Sequence, residues 1–390
     1  MNIRFVLQSL ICLLAVSCSV HEIETMDPIQ AEDDVFYASF ESYSTPDTKV
    51  YLDENIKILW DENDQISIFN KSTRNDKYEF LGETGDNAGF FEKKADGSGT
   101  GTAMNYVCAV YPYKEATDLD GSGVLTLTLP EKQTYREGSF GPEANVMVST
   151  TNGVNNLLRF KNLGGFLEFK FFGQGPNDAK ISISSIKLEG RNGELLSGEA
   201  TMTPVIDKIP TVEMASTAGT SITLESSKAV KLGKNKNKAT AFWMVVPPIT
   251  FKKGFKVTLT DKDGKVFIRE SDAVITIERN RVTRFEAFEV TPDDFLDTNK
   301  AIYYSTTDNN AISLDENADF GATLISNDFS ESRNMCVMVF DADVTKIADY
   351  AFAGCERLTE IIIPETVTSI GENAFFGCTA LTSITVLNND

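Results

Sequence analysis

Histidine is all but missing from this chain: His21 is the only one in 390 residues. Nucleophilic catalysis by a Ser/His/Asp or Cys/His set needs an imidazole base, and most protein zinc sites need imidazole ligands. A lone histidine next to the N-terminus supplies neither. The six cysteines form no CxxC pair and no dense framework of the kind that staples small disulfide scaffolds. No G-x-x-x-x-G-K-[ST] loop and no strand-linked G-x-G-x-x-G is present to cradle phosphate. Gly97-Ser98-Gly99-Thr100-Gly101 has only the composition of a flexible loop. Asp118 to Gly123 imitates the start of a calcium loop, but Leu129 stands where the closing Glu belongs, so a turn is expected. Positive charge is short as well, with 36 Lys plus Arg against 57 Asp plus Glu and a net charge of −21. Such a surface repels nucleic acid and anionic membranes. These absences point to a protein that is not an enzyme, carries no metal or cofactor, and binds no nucleic acid. A surface hydrolase built on two carboxylates is the lowest-ranked reading, because so many acids make accidental pairs inevitable.

No apolar run reaches the roughly 20 residues that span a bilayer. The N-terminus instead reads as a targeting segment. Arg4 gives a positive start, and Phe5 to Val16 is apolar apart from Gln8 and Ser9. Leu14-Ala15-Val16-Ser17-Cys18 then resembles the lipobox of bacterial lipoproteins, with Val16 and Ser17 in place of its commonest residues. The resemblance implies removal of residues 1–17 and acylation of Cys18. Cleavage after Ala15-x-Ser17 by an ordinary signal peptidase is the competing reading, and it leaves Cys18 incidental. Residues 18–33 are polar and acidic and read as a tether. Acids just behind a lipidated cysteine also resemble surface-export signals of Bacteroidales lipoproteins. The expected location is the cell outer membrane, lipid-anchored and surface-exposed.

From about 34 to 292 the pattern alternates with period two, as in Val35–Phe40, Gln65–Phe69, Val124–Leu129 and Lys180–Leu188. Turn pairs separate the runs: Asp120-Gly121, Asn192-Gly193 and Asp263-Gly264, the last reading as a tight hairpin. The expected fold class is mainly β, with two sandwiches at 34–151 and 152–292, the break falling in the polar Ser149–Gly153. Trp60 reads as a core plug followed by a turn at Asp61–Asp64. Several stretches resemble fimbrillin-family proteins, secreted lipoproteins of Bacteroidales. They are Thr48–Leu52 with Ile58–Ile68, Cys108–Tyr113, Phe160–Leu167 and Ile277–Val282. That resemblance implies two transthyretin-like β-sandwich domains, a role in or beside surface pili, and assembly by strand donation. The chain departs from polymerising members, which are trimmed near the N-terminus after arginine. Here the first Arg beyond Cys18 is Arg74, already inside the β region.

The C-terminus repeats itself. Val344–Thr366 and Val367–Asn389 align without gaps, with 10 of 23 positions identical. The apolar positions stay in phase: Ile347 with Ile370, Phe352 with Phe375, Cys355 with Cys378, and Leu358 with Leu381. The unit resembles the BspA-like leucine-rich repeat. Residues 298–390 are therefore read as a cap, Ala301 to Val344, plus two repeats in a short solenoid. Cys355 and Cys378 sit at equivalent inward positions; a disulfide is conceivable, while the resemblance favours a ladder of buried free thiols. With two repeats only, the last coil is expected to expose Ile384 and Val386. The reading is a surface lipoprotein acting in adhesion or beside a pilus. Its partners would be host or bacterial surface proteins, or pilus subunits. The alternative is a glycan-binding lipoprotein of nutrient uptake, with Tyr111, Tyr113, Tyr303 and Tyr304 as candidates for stacking on sugars. If Cys18 is acylated, each buried methylene adds about 0.8 kcal/mol of membrane affinity. Cys18→Ala should then abolish metabolic palmitate labelling and move the protein to the soluble fraction. Persistence of the label would remove the anchor.

Overall fold

The computed structural model describes residues 35–41, 58–99, 101–153, 156–175, 179–297, 299–314, 318–330 and 334–387. The signal segment, Cys18, the tether and Thr48–Leu52 lie outside them. Among the described residues the chain is nearly all β, with short 3-10 turns at Lys236–Lys238 and Pro292–Asp294 and no α-helix.

Residues 35–162 supply eleven strands: β1 (Val35–Phe40), β2 (Gln65–Ser72), β3 (Asp76–Phe80), β4 (Ala88–Ala95), β5 (Ala103–Tyr111), β6 (Asp118–Leu119), β7 (Leu125–Leu129), β8 (Lys132–Arg136), β9 (Ser139–Phe140), β10 (Met147–Thr151) and β11 (Leu157–Asn162). Seven of them close into a barrel in the order β1-β11-β10-β5-β2-β3-β4. The closing strand β1 runs parallel to β11 and antiparallel to β4, with Phe36 opposite Phe91. Alternation in β1 sends Phe36 and Ala38 inward. Trp60 is 1 % exposed, and the rings of Phe40, Phe80, Phe91, Tyr111 and Phe160 surround it at 4.6 to 5.9 Å. It is the plug its position suggested.

Residues 165–289 give β12 (Gly165–Phe172), β13 (Ser182–Gly190), β14 (Gly198–Met202), β15 (Glu213–Met214), β16 (Ser221–Lys231), β17 (Thr240–Val246), β18 (Ile249–Phe251), β19 (Phe255–Asp261), β20 (Val266–Ser271), β21 (Ile275–Ile277), β22 (Val282–Arg284) and β23 (Phe288–Glu289). A sheet β17-β12-β22, with β23 added, shares an apolar core with the sheet β20-β19-β13-β16-β8-β9. The Asp263-Gly264 pair does form the β19–β20 hairpin, with Gly264 at φ +83°. Strands β12 and β17 are buried on both faces. Leu167, Phe169, Phe242 and Met244 enter this core, while Phe166, Trp243 and Val245 join the barrel core. That double duty explains the unbroken apolar run from Ala241 to Val246 in β17, which alternation alone does not predict.

The break expected near 152 instead joins β10 to β11, both strands of one barrel. Moreover, β7 and β8, from before it, pair with β14 and β16, from after it. A polar Ser/Thr/Asn/Gly run marks a turn between paired strands as well as it marks a linker, so composition could not choose between them. Two clasps tie the halves. Gln133 holds the backbone of Val245, its amide donating to the carbonyl at 2.6 Å and accepting from the N–H at 2.9 Å. Arg279 donates to Glu41 Oε2 at 3.0 Å and to the Asn162 carbonyl at 2.8 Å.

The remaining strands are β24 (Ala301–Thr306), β25 (Leu324–Ser330), β26 (Met335–Phe340), β27 (Lys346–Ile347), β28 (Leu358–Ile363), β29 (Ser369–Ile370) and β30 (Ser383–Val386). They make a five-stranded sheet, β25-β26-β24-β28-β30, and a small β27-β29 pair. Up to β24–β28 the sheet is antiparallel; β28–β30 and β27–β29 are parallel. One face closes over the module's own core, and the other meets Val266, Ile268 and Leu296 in a small apolar seam with the preceding sandwich.

A half-buried acid at the start of β2 gives a pH test. Asp64 accepts from the Tyr111 hydroxyl at 3.0 Å and from the Asp61 amide at 2.7 Å. Burial outweighs these bonds and pushes its carboxyl up to about 6, from an ordinary 3.8. Below pH 3.8 the acid is neutral in both folded and unfolded chains, and its contribution to stability is fully present. As pH rises through about 6 that contribution is lost. Asp64→Asn should therefore gain on the wild type between pH 4 and 7, by about 1–2 kcal/mol once partial exposure is discounted. Parallel stability–pH curves for the two proteins would contradict this.

Candidate interaction surface

The 23-residue period of the sequence is a period in space. Ile347 pairs with Ile370 in β27–β29, and Ile361 with Ile384 and Ile363 with Val386 in β28–β30. Each pair is the same repeat position one coil further on. The turn between strands repeats too. Gly354 and Gly377 take φ of +73° and +77°, a left-handed conformation that costs a Cβ-bearing residue and suits glycine. With the chain reversed there, Phe352 and Phe375 stack face to face, centroids 5.2 Å apart and planes 1° off parallel.

The sequence-derived column falls into two classes. Ile347, Phe352, Cys355 and Leu358 of the first coil are all buried. Phe375, Cys378 and Leu381 of the second are only partly covered, and Ile370 is 49 % exposed. The contrast is sharpest on the strands: Ile361 is 1 % exposed and its equivalent Ile384 is 48 %. The cause is geometric, because a second coil covers the first and no third coil among the described residues covers the second. Leu387 turns toward the seam with the sandwich, but Val386 stays 45 % exposed. Phe376 adds a large apolar side chain at 69 % exposure, where the first repeat has Ala353. The repeat frame leaves this position open, so it carries no signal of its own in the sequence.

The four cysteines among the described residues are free thiols. Cys378 donates to the Phe352 carbonyl at 3.1 Å. Burial raises the pKa of both Cys355 and Cys378, so neither is primed as a nucleophile. The Asp118–Gly123 segment is strand β6 running into a tight turn, in which Asp120 Oδ1 accepts from Ser122 N, Ser122 Oγ and Val124 N at 2.7 to 2.9 Å. Those bonds, led by the Ser122 hydroxyl, hold the Asp120 carboxyl below its usual value. Among the described residues no group of three His, Cys, Asp or Glu could hold a metal. Tyr111, Tyr303 and Tyr304 are buried, and Tyr113 lies partly covered under Lys77, whose Nζ sits 4.4 Å from the ring centroid.

Beside the open coil lies a cleft of about 430 Å³. Thr385, Val386 and Leu387 form one side, and the outward faces of β13, β16 and β19 form the other. Sequence reading missed this wall, because alternating Ser, Thr, Lys and Glu look like any wetted sheet face.

Residues 299–389 match a family model described as a BspA type leucine rich repeat region (6 copies). No curated protein matches the chain. Several solved structures are similar to it. A candidate cell adhesion protein from Bacteroides ovatus shares 14 % identity, covering 68 % of this chain and 95 % of its own, with a TM-score of 0.41. A fimbrial assembly protein from Parabacteroides distasonis shares 14 %, covering 67 % and 92 %, with a TM-score of 0.27. A fimbrial protein from Bacteroides ovatus shares 15 %, covering 64 % and 48 %, with a TM-score of 0.27. Likenesses this distant carry no activity across to this chain.

The stacking makes equivalent isoleucines unequal. Ile361→Ala should cost about 2–5 kcal/mol in denaturant unfolding, whereas Ile384→Ala should cost well under half of that. Equal losses would show that the second coil is covered as fully as the first.

Proposed function

We propose that this chain is a cell-surface protein of adhesion, standing alone or beside a pilus, which holds protein ligands on the open end of its repeat module. The observation that carries this reading is the half-exposed apolar edge of Ile370, Phe376, Ile384 and Val386 on an otherwise ordered coil. Clustered apolar side chains of this kind on a rigid scaffold are the usual mark of a contact surface. The barrel and the sandwich act as the stalk, corresponding to the pair of transthyretin-like domains that the fimbrillin resemblance implies. Cys18 carries the lipid that fixes the stalk to the outer membrane. The partners are host or bacterial surface proteins, and the work is binding without catalysis.

An accessory or stand-alone role is favoured over that of a shaft subunit. Arg74 lies between β2 and β3 and pairs with Asp76 at 2.7 Å. Cutting after it would detach β1 and β2, two of the seven barrel strands. The glycan-binding alternative loses support from the buried tyrosines.

The test is binding of the full chain to arrays of matrix proteins, bacterial surface proteins and glycans, beside a Phe376→Asp/Ile384→Asp variant. Retention on protein ligands, reduced tenfold or more in the variant, is the expected result. Retention on glycans alone, or equal retention by both chains, would contradict it.

A further inference from the structure

The open end offers more than apolar area. Between the two coils, backbone bonds run around the whole turn. Phe352 N–H donates to the Ala374 carbonyl at 2.8 Å, and Gly354 N–H to the Phe376 carbonyl at 2.7 Å. In the other direction, Gly371 N–H donates to the Ile347 carbonyl at 2.7 Å and Thr382 N–H to the Thr359 carbonyl at 2.9 Å. The 23-residue equivalence carries this pattern forward. It places the amides of Phe375 and Gly377, and the carbonyls of Ile370 and Thr382, at the face where a third coil would lie. Among the described residues β30 is also the edge strand of its sheet, bonded to β28 alone. An edge of this kind is a template for another strand.

The cleft beside it has two unlike sides. On the β30 side stand Thr385, Val386 and Leu387, and Val386 belongs with Ile384 to the apolar column begun by Ile361 and Ile363. The facing wall is polar, and its charges are already matched: Lys256 pairs with Glu189 at 2.8 Å and Lys132 with Glu225 at 3.0 Å. The lining as a whole holds four Glu and three Lys, a slight acidic excess. At about 430 Å³ the space is of the size that takes a small ligand or a few residues of peptide. A whole second copy would bring its own sandwich wall and another net charge of −21 to the same place.

We propose that β30 binds an extended protein segment by strand addition. Alternate apolar side chains of the segment cover Ile384 and Val386, and the small polar or basic ones between them face the Lys, Ser and Thr wall. This rests on the adhesive reading above and names the form its ligand takes at the site. Main-chain bonds to the edge supply sequence-tolerant affinity, and the two sides of the cleft supply selection by alternation.

The probe is a fluorescein-labelled peptide copying residues 379–387 of this chain, whose strand already packs beside β28 in this way. Anisotropy titration with the full chain should show saturable binding. The same peptide N-methylated at alternate residues should bind at least tenfold more weakly, as should the unmodified peptide to Ile384→Asp. Because the methylated peptide tests the backbone without altering the protein, misfolding of the variant cannot mimic the result. Equal binding of both peptides, or no binding of either, would overturn strand addition. If the Phe376→Asp/Ile384→Asp chain still loses its protein ligands in that event, the adhesive surface stands and only the form of its occupant is wrong. Dimerisation of the full chain that the peptide cannot compete would equally overturn the proposal, by making a second copy the occupant.

Discussion

One coil of the C-terminal module cannot bury its own apolar side, and everything distinctive about the protein follows from that. The first coil solves the problem by lying under the second, with isoleucine set on isoleucine at a spacing of 23 residues. Covering a side chain of this size contributes about 1.5–3 kcal/mol, so the stack is held mainly by its ladder of paired apolar residues. The same rule leaves the second coil half satisfied. Its backbone keeps the geometry of the first, down to the left-handed glycines, yet its column faces outward. A surface that is ordered by one neighbour and, among the described residues, lacks the other is suited to recognition. The ordering entropy has already been met, and the apolar area is still available.

The β region in front acts as a mount. Its strands are interleaved, with β7 and β8 leaving the barrel segment to pair with β14 and β16. Strands buried on both faces, such as β12 and β17, make barrel and sandwich share their cores, and the Arg279–Glu41 pair clasps them at the edge. The repeat module then sits against the β20 edge through a small seam around Val266, Leu296 and Tyr303. That placement brings the polar face of β13, β16 and β19 alongside β30, so the open coil looks into a walled cleft.

Much of this was legible in the residues. Alternation located β1, β2, β7 and β13, and the Asp263-Gly264 pair located a hairpin. The repeat register followed from counting 23 residues between like positions. Period and turn chemistry are local, and they survive without knowledge of the fold. Pairings between strands far apart in sequence were not legible. The partnership of β8 with β16 depends on which edges meet after collapse, and Ser149–Gly153 reads the same whether it joins two domains or two strands of one barrel. At the surface, Ile384 and Val386 were foreseen as exposed because the repeat count ends there. Phe376 was missed because the repeat template is silent at that position, and the cleft wall because polar alternation has no signature of its own.

The central claim is that the open face of the second coil is the contact surface. The most direct measurement is to follow Leu387 with a designed polar capping coil, then record both thermal unfolding and attachment to the protein ligands. The account predicts a more stable chain that has lost attachment, since the cap satisfies the very groups a partner would use. A capped chain that attaches as well as the native one would contradict it.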